Sequence, residues 1–284
     1  MLRCNPLKIT GDIGVDCFMP SGALQSIVKY YWIVKVKETT GDKKVAKISP
    51  TGFPELIFHF GDSVSINTCK GTLVDKQSES IIAGQITRPV IVDMNSHLNC
   101  LCVKLHPWGL SALFGIKSTE FLNQAVSLEN VIPQAKRLIH EQLSCTSDDT
   151  EKIRIVEGYL HSMAKNKRVS VHPITAKVIS SIRQGVEYQI SELANDFHIS
   201  NRTLQRRLNE DIGISPKMYS RIVRFNKAYH LIKNSQLKMQ DICFNLGYYD
   251  LSHMINEFVE FSGVSPYQYF KNENPYNSLF VNQE

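Results

Sequence analysis

The sequence has no long apolar run, no paired-cysteine spacing and no phosphate-cradling glycine loop. Each absence removes a class of function. No stretch approaches the ~20 consecutive apolar residues needed to span a bilayer, so no membrane partner is expected. The opening residues, MLRCNPLKITGD, hold no apolar segment of the signal-peptide kind, and a cytoplasmic protein is expected. The seven cysteines are Cys4, Cys17, Cys69, Cys100, Cys102, Cys145 and Cys243. Their number is odd and no two stand as C-x-x-C, so they do not form a disulfide framework and fit a reducing compartment. No nucleophile–base pair or metal-ligand spacing appears, so no cofactor, metal or enzymatic activity is expected.

What is present is an ordinary globular composition. The chain has 284 residues, 43% hydrophobic and 21% charged, enough for two domains with cores of their own. The net charge is only +5, but it is unevenly placed. Between Ser200 and Lys238 stand Arg202, Arg206, Arg207, Lys217, Arg221, Arg224, Lys227, Lys233 and Lys238 against Glu210 and Asp211, a local charge of +7. Such a field attracts a polyanion. On charge alone, a solvated helix face fits as well.

Roughly the first 120 residues read as β-rich. Tyr30–Lys37, Pro54–Phe60, Pro89–Met94 and Cys100–Leu105 are short aromatic, β-branched or alternating runs, separated by Gly, Pro, Asn and Asp. That punctuation suggests a small barrel or sandwich. From Trp108 the apolar spacing becomes helical, with helices expected over 108–114, 129–143 and 151–165. KNKRVS at 165–170 reads as a charged linker, and the chain is then helical until a loose tail at 272–284. The expected division is a domain over 1–165, β-rich to about 120, and a second over 172–271.

The strongest signal is an internal repeat. Gly213-Ile-Ser-Pro-Lys-Met-Tyr219 recurs fifty residues later as Gly263-Val-Ser-Pro-Tyr-Gln-Tyr269. Ser200, Leu204 and Leu208 match Asp250, Met254 and Phe258 at the same offset, and Leu193-Ala194 matches Ile242-Cys243 one residue short of it. Each copy has the same physical grammar. A short helix carries an apolar residue and a small one. A turn follows, and Ser200 or Asp250 offers an N-cap oxygen to a new helix. Leu204 and Leu208, or Met254 and Phe258, lie four apart and face a core. Ser215-Pro216 and Ser265-Pro266 then supply N-cap and N1 of the next helix. This is the layout of a helix-turn-helix reader. The outer face of the first reader holds Asn201, Arg202, Gln205, Arg206 and Asn209, side chains suited to guanine and adenine edges. The second offers Leu251 and Ile255 for thymine methyl groups, with Ser252 and Asn256 as polar partners. An all-helical domain with a polar surface is the plainer alternative for one copy; the duplication argues against it.

Residues 172–271 resemble the C-terminal domain of the AraC/XylS family of bacterial transcriptional regulators. The first unit carries Leu204-Gln-Arg206-Arg-Leu208, Gly213, Ser215-Pro216, Tyr219, Arg221 and Arg224; the second carries Ile242-Cys-Phe-Asn-Leu-Gly247-Tyr248, Phe258, Gly263 and Ser265-Pro266. Leu208 stands where the family usually has Phe, His198 where the first turn usually has Gly, and Asn256 where a basic residue is common. GYYDLSHMINEF resembles one subgroup, whose N-terminal domain carries motifs matched here by Pro50-Thr-Gly52-Phe-Pro-Glu55-Leu56 and His106-Pro-Trp-Gly109. The resemblance implies an α+β protein: a barrel or cupin-like N-terminal domain with a helical appendage, and an all-α C-terminal domain of two helix-turn-helix units. It implies double-stranded DNA as partner, read in successive major grooves, with a helix from about Lys217 to Lys233 joining the units. Phosphates would sit near Ser200 and Ser215, with Lys217 close by. RNA polymerase, a small-molecule effector and a second copy of the chain are further candidate partners.

In the N-terminal half, Glu55, His59, Cys102, His106 and Trp108 are the candidates for a ligand pocket. Each has a plainer reading. Cys100 and Cys102 fit small buried hydrophobes, His106–Gly109 fits a strand-to-helix corner, and Glu55 fits a cap. Two other functions compete with a pure regulator. One fuses the DNA-binding domain to a thiol-based enzyme or DNA-repair methyl acceptor, which the scattered cysteines argue against. The other is a sugar-binding or cupin-type enzyme, for which His59, His97 and His106 are too isolated.

Overall fold

The computed structural model describes residues 13–36, 44–60, 65–68, 71–74, 79–94, 98–167, 171–185, 194–272, 274 and 277. His97, Leu193, Cys4 and Cys69 lie outside them.

The N-terminal half is a two-sheet β structure with helices on one side. The strands are β1 (Ile13–Phe18), β2 (Val28–Val36), β3 (Lys44–Ile48), β4 (Glu55–His59), β5 (Ser65–Thr68), β6 (Gly71–Val74), β7 (Ser80–Ala83), β8 (Val90–Met94), β9 (Leu98–Leu105) and β10 (Ala125–Ser127). They pair antiparallel as a six-stranded sheet, β1-β2-β9-β4-β7-β10, and a four-stranded sheet, β3-β8-β5-β6. Side chains alternate across a strand, and in β2 both sets are buried. Trp32, Val34 and Val36 join Val90, Val92, Cys100 and Cys102 between the sheets. Tyr31 and Ile33 join Leu56, Phe58, Leu101 and Val103 under the helices. A strand covered on both faces is apolar throughout, which is why β2 and β9 stand out in the sequence.

Helices α1 (Gly109–Phe114), α2 (Leu128–Val131), α3 (Glu141–Ser144) and α4 (Asp149–Lys167) cover the outer face of the large sheet through Leu110, Leu113, Leu143, Ile153, Val156 and Leu160. The single helix expected over 129–143 is instead broken. Chain direction changes at Ile132, which is extended (φ −132°, ψ 90°), and a π-type turn over Lys136–His140 precedes α3. Pro133 is the cause: it lacks an N–H and pushes the residue before it out of the helical region.

The C-terminal half is helical: α5 (Pro173–Gln184), α6 (Asn201–Ile212), α7 (Pro216–Asn234), α8 (Met239–Asn245), α9 (Leu251–Ser262) and α10 (Pro266–Lys271). No helix among the described residues is long and apolar enough to cross a membrane. Two small cores repeat the sequence repeat. Ala194, Leu204 and Leu208 pack with Ile174 and Val178, and Ile242, Cys243 and Met254 pack with Tyr248. A larger aromatic core of Tyr219, Phe225, Tyr229, Phe258, Phe261 and Tyr269 joins them, and Trp108 and Leu122 from the N-terminal half pack against it.

After Lys271, two described residues are anchored to the N-terminal half. Asn274 Nδ2 donates to the Val45 carbonyl (2.7 Å), and the Lys47 N–H donates to Asn277 Oδ1 (2.7 Å). β3 is an edge strand with outward backbone groups to satisfy, and Asn side chains offer both donor and acceptor.

Candidate nucleic-acid interface

Both helices expected to be readers, α6 and α9, are fixed by local caps. Ser200 Oγ accepts the Thr203 N–H and Asp250 Oδ1 accepts the His253 N–H, so α6 and α9 start at equivalent residues. Each runs twelve residues and ends on a glycine in the left-handed region, Gly213 (φ 85°) or Gly263 (φ 79°). The helix after each corner is capped by Ser215 on the Met218 N–H or Ser265 on the Gln268 N–H, with Pro at the first position. The turn before α6 has the same need for a left-handed residue. His198, standing where glycine is usual, has φ 52°, and Gly247 in the second unit has φ 66°.

On α6, Leu204, Leu208 and Ile212 are buried while Asn201, Arg202, Gln205 and Arg206 are exposed and Asn209 is half-buried. Ser200 is exposed at the cap, and Lys217 is exposed at the start of α7. On α9, Ser252 and Asn256 are exposed, and Leu251 and Ile255 are half-buried. The geometry thus brings each predicted set onto one helix face. It adds His253, exposed on α9 with its ring 5.4 Å from Tyr248, which the sequence grouping passed over. Its place three residues after the N-cap was the available signal.

The electrostatics differ from a simple count of charges. Glu257 of α9 is buried, 2% exposed. Its carboxylate accepts from Arg221 Nε (2.8 Å), Arg224 Nε (3.0 Å) and Arg224 Nη2 (2.7 Å), all from α7. Glu260 takes the other edge of Arg221. Burial alone would raise the Glu257 pKa, but the two guanidiniums outweigh it and hold the carboxyl below the usual range. Arg221 and Arg224 therefore tie the joining helix to the second reader, and their charge is not free for phosphate. The imbalance persists without them. Seven other bases remain in 200–238 against Glu210 and Asp211, while 239–284 keeps Lys271 against Asp241, Asp250, Glu273 and Glu284.

The five pocket candidates do not converge. A cavity of ≈ 80 Å³ lies between the sheets, lined by apolar residues such as Ile48, Ile57, Val90 and Ala125, with Ser49 and Glu55. Of the five, Glu55 alone lines it. The Glu55 carboxylate is 3.3 Å from Lys104 Nζ, which is 2% exposed; burial raises the carboxyl pKa against the attraction of Lys104. His59 sits at the other end of β4 near His140, and its pKa is pushed down to about 4, chiefly by burial. His106 Nε2 meets the Gln25 carbonyl (3.1 Å) and stacks on Trp108, whose Nε1 donates to the Ser26 carbonyl (2.9 Å). His106 and Trp108 form a strand-to-helix corner, and Trp108 turns toward the C-terminal core. Among the described residues no group of His, Cys, Asp and Glu could hold a metal ion.

Cys102 lies 3.7 Å from Cys100, sulfur to sulfur, and burial pushes its thiol well up. Nucleophilic thiol chemistry needs the thiolate. Native alkylation followed by peptide mass mapping is expected to modify exposed Cys145 and leave Cys100 and Cys102 untouched. Faster labelling of Cys102 than of Cys145 would restore the thiol-enzyme alternative.

Residues 193–272 match the family model described as Helix-turn-helix domain, and residues 16–127 match the Domain of unknown function (DUF6597). The HTH-type transcriptional activator RhaS of Klebsiella pneumoniae (strain 342) is 39% identical over 67 residues, 24% of this chain and 24% of that protein. The chain thus spans about a quarter of the length of the curated relatives it matches. Among solved structures, the C-terminal domain of AraT, a response regulator from Geobacillus stearothermophilus, is 24% identical, with TM-score 0.33 over 36% of this chain and 87% of that one. The crystal structure of ToxT from Vibrio cholerae O395 is 10% identical, with TM-score 0.43 over 92% of this chain and 97% of that one.

Proposed function

We infer that this chain is a regulator of the AraC/XylS type through its C-terminal helix-turn-helix domain, and that it binds DNA sequence-specifically to control transcription. The observation that carries this is the duplicated capped reader, α6 and α9, each with polar side chains exposed over its first two turns. Ser200, Asn201, Arg202, Gln205, Arg206, Asn209 and Lys217 form the first contact surface, and Leu251, Ser252, Ile255 and Asn256 the second. The division is 1–165 for an input domain, 172–271 for DNA reading and 272–284 for the remainder. Acting on DNA, the protein belongs in the bacterial cytoplasm, meets RNA polymerase there and carries out no catalysis.

Arg206 is the residue to test. Its exposed place on the second turn of α6 suits bidentate contact with guanine. Replacing it by Ala is expected to cost about 1–3 kcal/mol on the preferred site and to relax specificity at one position. An equal loss on preferred and random duplexes would reduce Arg206 to a phosphate contact.

The input domain acts through a two-sided segment. Ser49, Thr51, Phe53 and Glu55 line the inter-sheet cavity. Pro50 and Gly52, between them, face α7: the Asn226 Nδ2 donates to the Pro50 carbonyl (3.1 Å), and Gly52 lies under the Tyr219 ring. Ser49 Oγ is buried with no hydrogen-bond partner. A compact effector there would press on the helix that joins the readers.

A further inference from the structure

The corner that ends each reader helix is a place where the N-terminal half presses. A Cβ on Gly213 would come within 2.9 Å of the Ser118 carbonyl oxygen, and a Cβ on Gly263 would overlap the Lys47 side chain. These are equivalent positions of the repeat. At the first corner, Ser111 and Ser118 hydroxyls both donate to the Asp211 carbonyl, at 2.9 and 2.7 Å. That carbonyl belongs to the last turn of α6, where the helix leaves acceptors unfilled. Lys117 also pairs with Glu210 at 3.0 Å. At the second corner β3 supplies the Lys47 side chain; the same strand accepts from Asn274 at the Val45 carbonyl and donates from the Lys47 N–H to Asn277. Between the corners lies the Pro50–Gly52 contact with α7.

The attachments to the readers themselves, at Glu210, Asp211, Gly213 and Gly263, fall on their heels. Asn201, Arg202, Gln205 and Arg206 on α6, and Ser252, His253 and Asn256 on α9, remain exposed toward the opposite, N-terminal ends. The contact therefore leaves the reading surfaces open.

We propose that the N-terminal domain is a brace that grips both reader helices by their C-terminal corners and so sets the half-site spacing the protein accepts. The proposal rests on the DNA-reading function above. Readers of this kind meet successive grooves about one helical turn, ~34 Å, apart. Inserting one base pair between half-sites both lengthens and rotates the target. Units tied only to each other and to α7, through the aromatic core and the Arg221–Glu257 pair, could follow such a change by small shifts within the helical half. Units also attached at both heels to the N-terminal half follow it less.

The experiment first enriches a preferred duplex from a random library with the full-length protein. Affinity is then measured on that duplex and on versions with one base pair inserted or removed between the half-sites. Wild type is expected to lose about tenfold or more on the shifted duplexes. Two variants cut separate attachments: S111A with S118A at the first corner, and Lys47→Ala at the second. Each is expected to bind the parent duplex within about threefold of wild type and to lose less than about threefold on the shifted ones. Equal spacing penalties in wild type and both variants overturn the brace alone, as does a wild type indifferent to spacing. No enrichment from the library overturns the DNA-reading function and the brace with it. Because the variants act at different corners, misfolding of one, seen by circular dichroism, leaves the other decisive.

Discussion

Glu257→Ala is expected to destabilise the protein by about 3 kcal/mol, and to weaken reading by the second unit more than by the first. The carboxylate is buried and serves two guanidiniums from α7, each a quarter exposed. Removing it leaves two partly buried cations facing a gap, the situation that makes breaking a buried pair costly. The figure sits at the low end of the usual range because Arg221 keeps Glu260. Glu260→Ala is the control: its side chain is 42% exposed, and an exposed pair contributes about 0–1 kcal/mol. The effect on DNA follows from position, since Glu257 lies one residue after Asn256 on the same helix. Without the tie, α9 loses its fixed pitch against α7.

The same carboxylate makes the contribution pH-dependent. Its folded pKa is below its unfolded one, so the stabilisation is complete above the ordinary carboxylate range and is lost as pH falls through the depressed folded value. The gap in unfolding free energy between wild type and Glu257→Ala should be full at pH 7 and shrink below about pH 4. A gap that stays constant into acid would mean that Glu257 stabilises by packing and not by charge.

The C-terminal domain was legible because its determinants are local. Caps, corner glycines and prolines act within three or four residues, and Ser200, Gly213 and Ser215 do in the structure what their spacing implies. His198 is the instructive case: a non-glycine residue took the left-handed turn, so the repeat survived without its usual glycine. The β-rich half was legible where strands carry apolar runs: β2 and β9 are buried on both faces, while Ile91 of β8 is 41% exposed. β2, β4, β8 and β9 carry apolar runs; β1 (IGVDCF), β5 (SINT) and β6 (GTLV) do not, although β1 pairs with β2 and β5 with β6, their neighbours in sequence. A count of charges misleads where the partner is distant in sequence. Arg221 and Arg224 count toward the basic field of 200–238 until Glu257, more than thirty residues away, is seen to hold them. Trp108 likewise looked like a pocket wall because nothing nearby in sequence announces the aromatic core it packs against.

Gly84→Ala is expected to cost more than about 3 kcal/mol and to loosen the first reader although it lies far from it in sequence. A Cβ on Gly84 would fall well inside contact distance of the Phe121 carbonyl, with the Phe121 carbonyl carbon at 2.6 Å. Backbone cannot turn aside as a side chain can, so the segment carrying Phe121 must move. The Gly84 N–H also donates to the Gln124 carbonyl (3.0 Å) and the Gln85 carbonyl accepts the Asn123 N–H (2.8 Å), so both strands of the contact are pinned. Phe121 closes the short 3-10 helix Ser118–Phe121, whose Ser118 donates to the Asp211 carbonyl at the heel of α6. Displacement of that helix therefore transmits a packing fault between the sheets to the DNA-reading unit. The checks are a denaturant midpoint, and hydrogen exchange at Ile212 and Gly213, which should quicken in the variant under native conditions. A variant as stable as wild type would show that residues 118–121 yield cheaply. Loss of stability with unchanged exchange at Gly213 would show that the cavity wall and the first reader are mechanically separate.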